Sequence, residues 1–169
     1  MHLRLGLLLL LLTLLETTVI PFARILGIGP NLILLEIVAV ALFRGPLAGA
    51  LLGLAGGALL DLWRGQALGL FALAGGITGY LLGLLEPRLF KDNLLVPALA
   101  GLTGTLLFQG AFLLLSSFTG ARFPVWPALG RVILPEALYN AVLGPLMFRI
   151  VANLLRSRGV ATVAGKENA

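Results

Sequence analysis

The sequence predicts an all-α integral membrane protein, a bundle of six transmembrane helices. Three observations carry this prediction: 59% of the 169 residues are hydrophobic, only 11% are charged, and the mean hydropathy is +1.06. In soluble domains roughly a quarter of all residues are charged, so this chain has too little polar surface to cover a water-soluble globule. Because each helical span uses about 20 apolar residues, the length leaves room for about six spans and no extramembrane domain.

Glycine, proline and charged residues divide the chain into apolar blocks, which are predicted to be helices because backbone in lipid must satisfy its own hydrogen bonds. The first block is predicted to be a retained span, since Glu16 and two threonines replace the cleavage site of a secretory signal. The second block is short for a span, which leaves a tilted, interfacial or re-entrant helix open. The blocks are 3–20, 31–43, 47–62, 68–85, 94–118 and 132–155, in a single domain 1–158 followed by a short, disordered cytoplasmic tail 159–169.

Basic residues divide unevenly between the two sides of such a six-span bundle. The side that carries more Lys and Arg is expected to face the cytoplasm, which places both termini inside (N-in/C-in). An odd number of spans would separate Arg4 from the basic tail and blur this bias. The richer side holds Arg4, Arg44, Arg88, Lys91, Arg149, Arg156, Arg158 and Lys166, and the other holds Arg24, Arg64, Arg122 and Arg131.

The inventory of reactive side chains argues against an enzyme. The chain has no cysteine, and its one histidine is His2 at the N-terminus. Thiolate metal sites, cysteine nucleophiles and histidine-based catalysis are therefore excluded or disfavoured, and no catalytic, metal or cofactor residues are predicted. The basic residues stand at the ends of apolar blocks, so membrane topology explains them better than nucleic-acid binding does.

Glycines recur every fourth position in the third and fourth blocks. Residues four apart share one helix face, so each block presents a smooth groove on which another helix packs closely. Packing within the bundle is the favoured interpretation, and docking of another membrane protein on the third block's face is left open. The glycines are Gly45, Gly49, Gly53 and Gly57 in the third block, and Gly75, Gly79 and Gly83 in the fourth.

Polar residues follow the same spacing in the last two blocks, as Gly101, Thr105 and Gln109 in the fifth and as Glu136, Asn140 and Gly144 in the sixth. These stripes are predicted to face each other or the third helix. Carboxylates in hydrocarbon are costly, so acids near the outer side predict either ion pairs with nearby arginines or a wet, outward-facing cavity. The predicted polar network or pocket comprises Glu16, Glu36, Asp61, Gln109, Glu136 and Asn140.

The outer loop before the sixth block contains Phe123 and Trp126 between prolines. Tryptophan at the membrane interface is typical of an anchor, which is the favoured interpretation. A contact with a partner protein is the alternative, because apolar rings held by prolines present a rigid surface.

Several of these segments together resemble one family, the rod shape-determining protein MreD: residues 30–35, 41–45, the glycine ladder into 60–62, 68–70 with 79–81, and 134–145. The resemblance implies a non-enzymatic inner-membrane scaffold of bacterial cell-wall elongation. It implies MreC as the direct partner, with links to MreB, RodA and a class B penicillin-binding protein.

The resemblance also implies a fold similar to the S components of energy-coupling-factor transporters. The alternative function is therefore an S-component-like transporter subunit. In that case Glu36, Asp61, Glu136 and Asn140 would line an outward-facing ligand pocket.

Overall fold

Helices form every regular element in the described part of the chain, which in this computed structural model comprises residues 2–22, 27–64, 69–85, 95–120 and 125–156. The all-α prediction is thereby confirmed, and each predicted block matches a helix to within two residues at both ends. The predicted tail, 159–169, lies outside the described residues. The helices are α1 His2–Thr18, α2 Leu32–Arg44, α3 Pro46–Arg64, α4 Leu70–Gly83, α5 Leu95–Phe118, the short α6 Val125–Ala128, and α7 Leu134–Arg156, with a 3-10 turn Ile20–Phe22 after α1.

Four segments of the described chain are long and apolar enough to cross a membrane: Leu3–Phe22, Pro46–Arg64, Leu95–Phe118 and Trp126–Arg156. The helices α2 and α4 have only 13 and 14 residues. At about 1.5 Å per residue they extend about 20 Å, which is less than the roughly 30 Å hydrocarbon layer. The structure therefore supports a membrane bundle of six main helices, while six complete crossings remain a prediction.

The short helix α2 lies at the centre of the bundle and packs against α1, α3, α4, α5 and α7. All residues from Ile33 to Leu42 are buried, which explains why its sequence is apolar on every side apart from Glu36. Asn31 caps its first turn by accepting the N–H of Leu34. At its other end Gly45 has a φ of 87°, a conformation that favours glycine, and so permits the tight turn into α3.

The helices α3 and α4 form the most extensive helix pair, and their glycines touch across it. A Cβ atom on Gly53 would collide with the backbone of Gly75, and one on Gly75 would collide with Gly53. The pairs Gly49 with Gly79, Gly57 with Phe71 and Gly83 with Pro46 meet in the same way. We call this contact the glycine seam. Because α4 covers the face that Gly49, Gly53 and Gly57 share, that face offers no room for a partner helix.

Ahead of α7, helical structure begins earlier than the sequence predicts. The proline-rich stretch before Gly130 was expected to break the helix, yet residues from Val125 onward are helical and run through a π-helical turn, Leu129–Ile133, into α7. Pro127 is tolerated because it lies in the first turn, where backbone N–H groups lack helical partners. The π-helical turn, closed by the Leu134 N–H on the Leu129 carbonyl, precedes Pro135, which has no N–H to offer a regular helix.

Candidate functional site

A polar cavity of about 430 Å³ lies at the end of the bundle where α1, α3 and α5 end and α2, α4 and α7 begin. We call it the loop-end cavity. It combines five polar side chains with an apolar wall, the usual composition of a small-ligand site. The polar residues are Glu16, Asn31, Arg64, Gln109 and Glu136, and the wall includes Phe71, Phe112, Leu113 and Ile133.

Glu16 and Arg64 form the ion pair of this cavity. The guanidinium of Arg64 lies 3.7 Å from Glu16 Oε1, and Glu16 Oε2 accepts the backbone N–H of Ile33 at 3.4 Å. The same guanidinium lies 4.9 Å from the ring centroid of Phe71, within the range of a cation–π contact. Glu16 therefore connects α1 to both α2 and α3, and Arg64 is held between a carboxylate and a ring.

Glu136 and Gln109 form the opposite wall. Gln109 Nε2 donates a 2.6 Å hydrogen bond to Glu136 Oε2, and both side chains are buried. Glu136 Oε1 and the amide nitrogen Nδ2 of Asn31 have no partner within hydrogen-bond distance among the described residues, although the Asn31 amide lies near enough to the Glu136 carboxyl group to interact with it. The cavity thus contains one acceptor and one donor that the described chain leaves unpaired.

Asp61 lies at the same end of the bundle but serves α4. Its carboxylate accepts the backbone N–H groups of Gly69, Phe71 and Ala72, each at 3.0 Å. Gly69 is the residue at the N-cap of α4 and has no side chain to cap it, with a φ of 98° that suits glycine. A carboxylate from α3 therefore caps α4 and also interacts favourably with the positive end of its dipole.

Asn140 joins three helices. Its Oδ1 accepts the backbone N–H of Asn31 at 3.0 Å, and its Nδ2 donates to the hydroxyl of Thr105 at 2.8 Å. A Cβ on Gly101 would collide with the Asn140 carbonyl, so α5 and α7 approach closely at this level. The two polar stripes of α5 and α7 therefore lie against each other. We call this contact the polar seam.

The six predicted polar residues consequently divide into three groups. Glu16, Gln109 and Glu136 line the loop-end cavity, whereas Asp61 and Asn140 hold helices together outside it. Glu36 is fully buried in α2, and neither carboxylate oxygen has a hydrogen-bond partner in the described part of the chain.

Sequence reasoning did not include Asn31 in the cavity. As the first residue of the block 31–43, directly before an apolar run, it is typical of a helix N-cap and would have been placed at the start of α2. However, the contact of Asn31 with Asn140 of α7 depends on tertiary packing, which the local sequence pattern does not contain.

The outer-loop prediction is described only in part. Phe123 lies outside the described residues, whereas Trp126 begins the last helix with 82% of its surface exposed. Trp63, near the end of α3, is 63% exposed at the same end of the bundle. An apolar groove of about 760 Å³ runs along the outside of α7 past Pro135, Leu138 and Val142.

The described part of the chain contains no cluster of His, Asp or Glu side chains that could hold a metal ion. A family model for rod shape-determining protein MreD matches residues 1–158. No curated protein and no solved structure matches the chain. The matched range includes every helix described above and all the segments that carry the resemblance in the sequence.

Proposed function

This chain belongs to the MreD family of rod shape-determining proteins, and we propose that it is a non-enzymatic membrane scaffold of bacterial cell-wall elongation. The family is a structural one, with a role in cell shape. The observation that carries the proposal is the use of the interior polar groups. Asp61 caps a helix, Asn140 joins three helices, and Glu16 pairs with Arg64, so most of the polar interior serves a fixed architecture.

The proposed location is the bacterial cytoplasmic membrane, with six crossings and both termini in the cytoplasm. The described basic residues support this orientation, because Arg4, Arg44, Arg149 and Arg156 belong to the end opposite the cavity. The loop-end cavity then opens toward the outer face. The helix α2 is surrounded by other helices. Most of its residues therefore contact protein rather than lipid, although the helix is short.

The proposed direct partner is MreC, and through it the scaffold connects to MreB, RodA and a class B penicillin-binding protein. With the glycine face of α3 covered by α4, the outer loop is the remaining contact surface that the sequence predicts. Trp126 supports it, because its exposed ring lies beside Pro127 at the start of a helix. Large aromatic side chains held in this way commonly dominate the energy of a protein interface.

The test is detergent co-purification of MreC with two matched variants. Replacing Trp126 with alanine is expected to reduce recovered MreC at least about tenfold, the scale of a side chain worth more than about 1.4 kcal/mol to binding. Trp63→Ala is the control, since it removes an exposed tryptophan at the same end of the bundle. Equal MreC recovery with both variants contradicts docking at the outer loop.

The loop-end cavity favours a second candidate function, an S-component-like subunit that binds a small ligand. Of the four residues that the transporter alternative assigns to its pocket, Glu136 lines this cavity, whereas Glu36, Asp61 and Asn140 do not. Co-purification with an energising ATPase in place of MreC would support this candidate over the scaffold.

A further inference from the structure

The loop-end cavity has a donor and an acceptor that nothing in the described chain satisfies. Asn31 is 1% exposed and Glu136 is 6% exposed, yet Asn31 Nδ2 and Glu136 Oε1 make no hydrogen bond. Buried polar atoms are normally paired, with protein, water or ligand. Both residues line the same cavity, so one occupant could satisfy both atoms.

Acidic side chains outnumber basic ones around the cavity. Its described lining contains two carboxyl groups, those of Glu16 and Glu136, and one guanidinium, that of Arg64. Arg64 forms a salt bridge with Glu16 and also lies over the ring of Phe71. Glu136 receives the neutral amide of Gln109 on its other oxygen, and the neutral amide of Asn31 lies nearby. The position next to Glu136 Oε1 therefore suits a cationic hydrogen-bond donor.

The rest of the cavity suits the uncharged part of such a molecule. Phe71 and Phe112 stack with ring centroids 4.5 Å apart, and Leu113 and Ile133 extend the apolar wall. A volume of about 430 Å³ lies in the range of small-molecule sites. The amide nitrogen of Asn31, on the polar side, requires an acceptor.

We propose that the loop-end cavity binds a small ligand that carries a primary ammonium group beside an oxygen acceptor. The ammonium donates to Glu136 Oε1, the acceptor receives Asn31 Nδ2, and an apolar part contacts Phe71 and Phe112. The proposal deepens the second candidate function, on which it rests, and is compatible with the scaffold.

The test uses the full chain in detergent and three related probes at pH 7. Leucinamide has the ammonium and the acceptor, N-acetylleucinamide lacks the ammonium, and N-acetylleucine is an anion. Thermal unfolding and binding are followed by the fluorescence of Trp63 and Trp126, the two tryptophans of the chain. Leucinamide is expected to raise the unfolding midpoint and to bind at least about tenfold more tightly than either control probe, because only its ammonium can form a charge-assisted hydrogen bond with the Glu136 carboxylate, whereas the control probes offer neutral amide N–H groups.

Two matched carboxylate variants then locate the site. Glu136→Gln is expected to weaken leucinamide binding about tenfold or more, whereas Glu36→Gln, a buried carboxylate that does not line the cavity, should keep it. If Glu136→Gln does not fold, Leu113→Trp is the second variant, since its indole would fill the cavity from α5 and exclude the probe.

Three results would overturn the proposal, and they distinguish its failure from failure of the second candidate function. Tighter binding of N-acetylleucinamide or N-acetylleucine shows that the ligand class is wrong while ligand binding stands. Binding of none of the three probes removes the amine proposal and leaves the second candidate function without support. Leucinamide binding that Glu136→Gln leaves unchanged shows that the ammonium does not bind at this carboxylate.

Discussion

The glycine seam and the polar seam hold helices together with different proportions of backbone contact and side-chain hydrogen bonding. In the glycine seam, α3 and α4 meet backbone to backbone because Gly53 and Gly75 have no side chains to separate them. In the polar seam, α5 and α7 are joined by side chains, with Gln109 on Glu136 and Asn140 on Thr105. Lipid offers no hydrophobic drive between helices, so close packing and hydrogen bonds are the two available sources of adhesion.

The two seams should therefore differ in their response to substitution. A side chain added to the glycine seam meets backbone on the opposite helix, and backbone within a packed helix cannot move aside easily. A side chain removed from the polar seam loses hydrogen bonds of modest net value, because groups in the membrane often find other partners. The glycine seam depends mainly on the absence of side chains, whereas the polar seam adds side-chain hydrogen bonds to a close approach at Gly101.

The largest expected effect is that of Gly53→Leu. Its side chain collides with the carbonyl of Gly75, so α3 and α4 must separate along their whole contact. We expect a loss of more than about 3 kcal/mol in unfolding free energy, the upper range for overpacking, or failure to recover folded protein. The measurement is reversible unfolding in mixed micelles, followed by tryptophan fluorescence.

Gly110→Leu is the control for this prediction. Gly110 lies on α5, and a Cβ there would meet nothing within 4 Å. Its unfolding free energy should change by no more than about 1 kcal/mol, since leucine is the better helix former and has room. Equal destabilisation by the two leucines would mean that the close approach of α3 and α4 does not hold the fold.

A smaller effect is expected from Asn140→Ala in the polar seam. The variant loses the bonds to Thr105 and to the Asn31 N–H, which join α7 to α5 and α2. We expect a loss of about 1 to 2 kcal/mol, on the scale of interhelical hydrogen bonds in membranes, in the same unfolding measurement.

Thr103→Ala sharpens the comparison. Thr103 lies on α5 near Thr105, but its hydroxyl bonds only to carbonyls of its own helix and is exposed. This variant should leave the unfolding free energy within about 0.5 kcal/mol of the native value. If Asn140→Ala also leaves the unfolding free energy unchanged, the side-chain hydrogen bonds of the polar seam do not stabilise the bundle.

The sequence predicts the helix faces that form the two seams but not the helices that pack on them. A fourfold spacing of glycine identifies which face of α3 is smooth, and the same spacing identifies the polar faces of α5 and α7. Which helix covers each face depends on tertiary packing. That is why α3 and α4, neighbours in sequence, could be paired only in the structure, and why docking of a partner on Gly53 remained open.

The acids show the same limit at single residues. The composition of each span predicts that Asp61, Glu136 and Glu36 need polar surroundings, but it does not distinguish a helix cap from a cavity wall. Asp61 caps α4 because Gly69, the N-cap residue, has no side chain. Glu136 lines the cavity, where Gln109 of the neighbouring helix α5 donates to it. These roles depend on partners 8 and 27 residues away, beyond any local pattern.

The central claim is that a wet cavity at the loop end adjoins a dry bundle interior, and the absence of cysteine permits a direct test. Leu113→Cys introduces a thiol in the cavity wall, and Ala74→Cys introduces one at a fully buried position of α4. A cationic, membrane-impermeant methanethiosulfonate reagent is added to the outside of intact cells that express each variant. The cysteine at 113 should be modified at least about tenfold faster than the one at 74, because only the cavity admits water and favours a cation. Equal rates at both positions, or reaction at 113 only after the membrane is opened, would contradict the account.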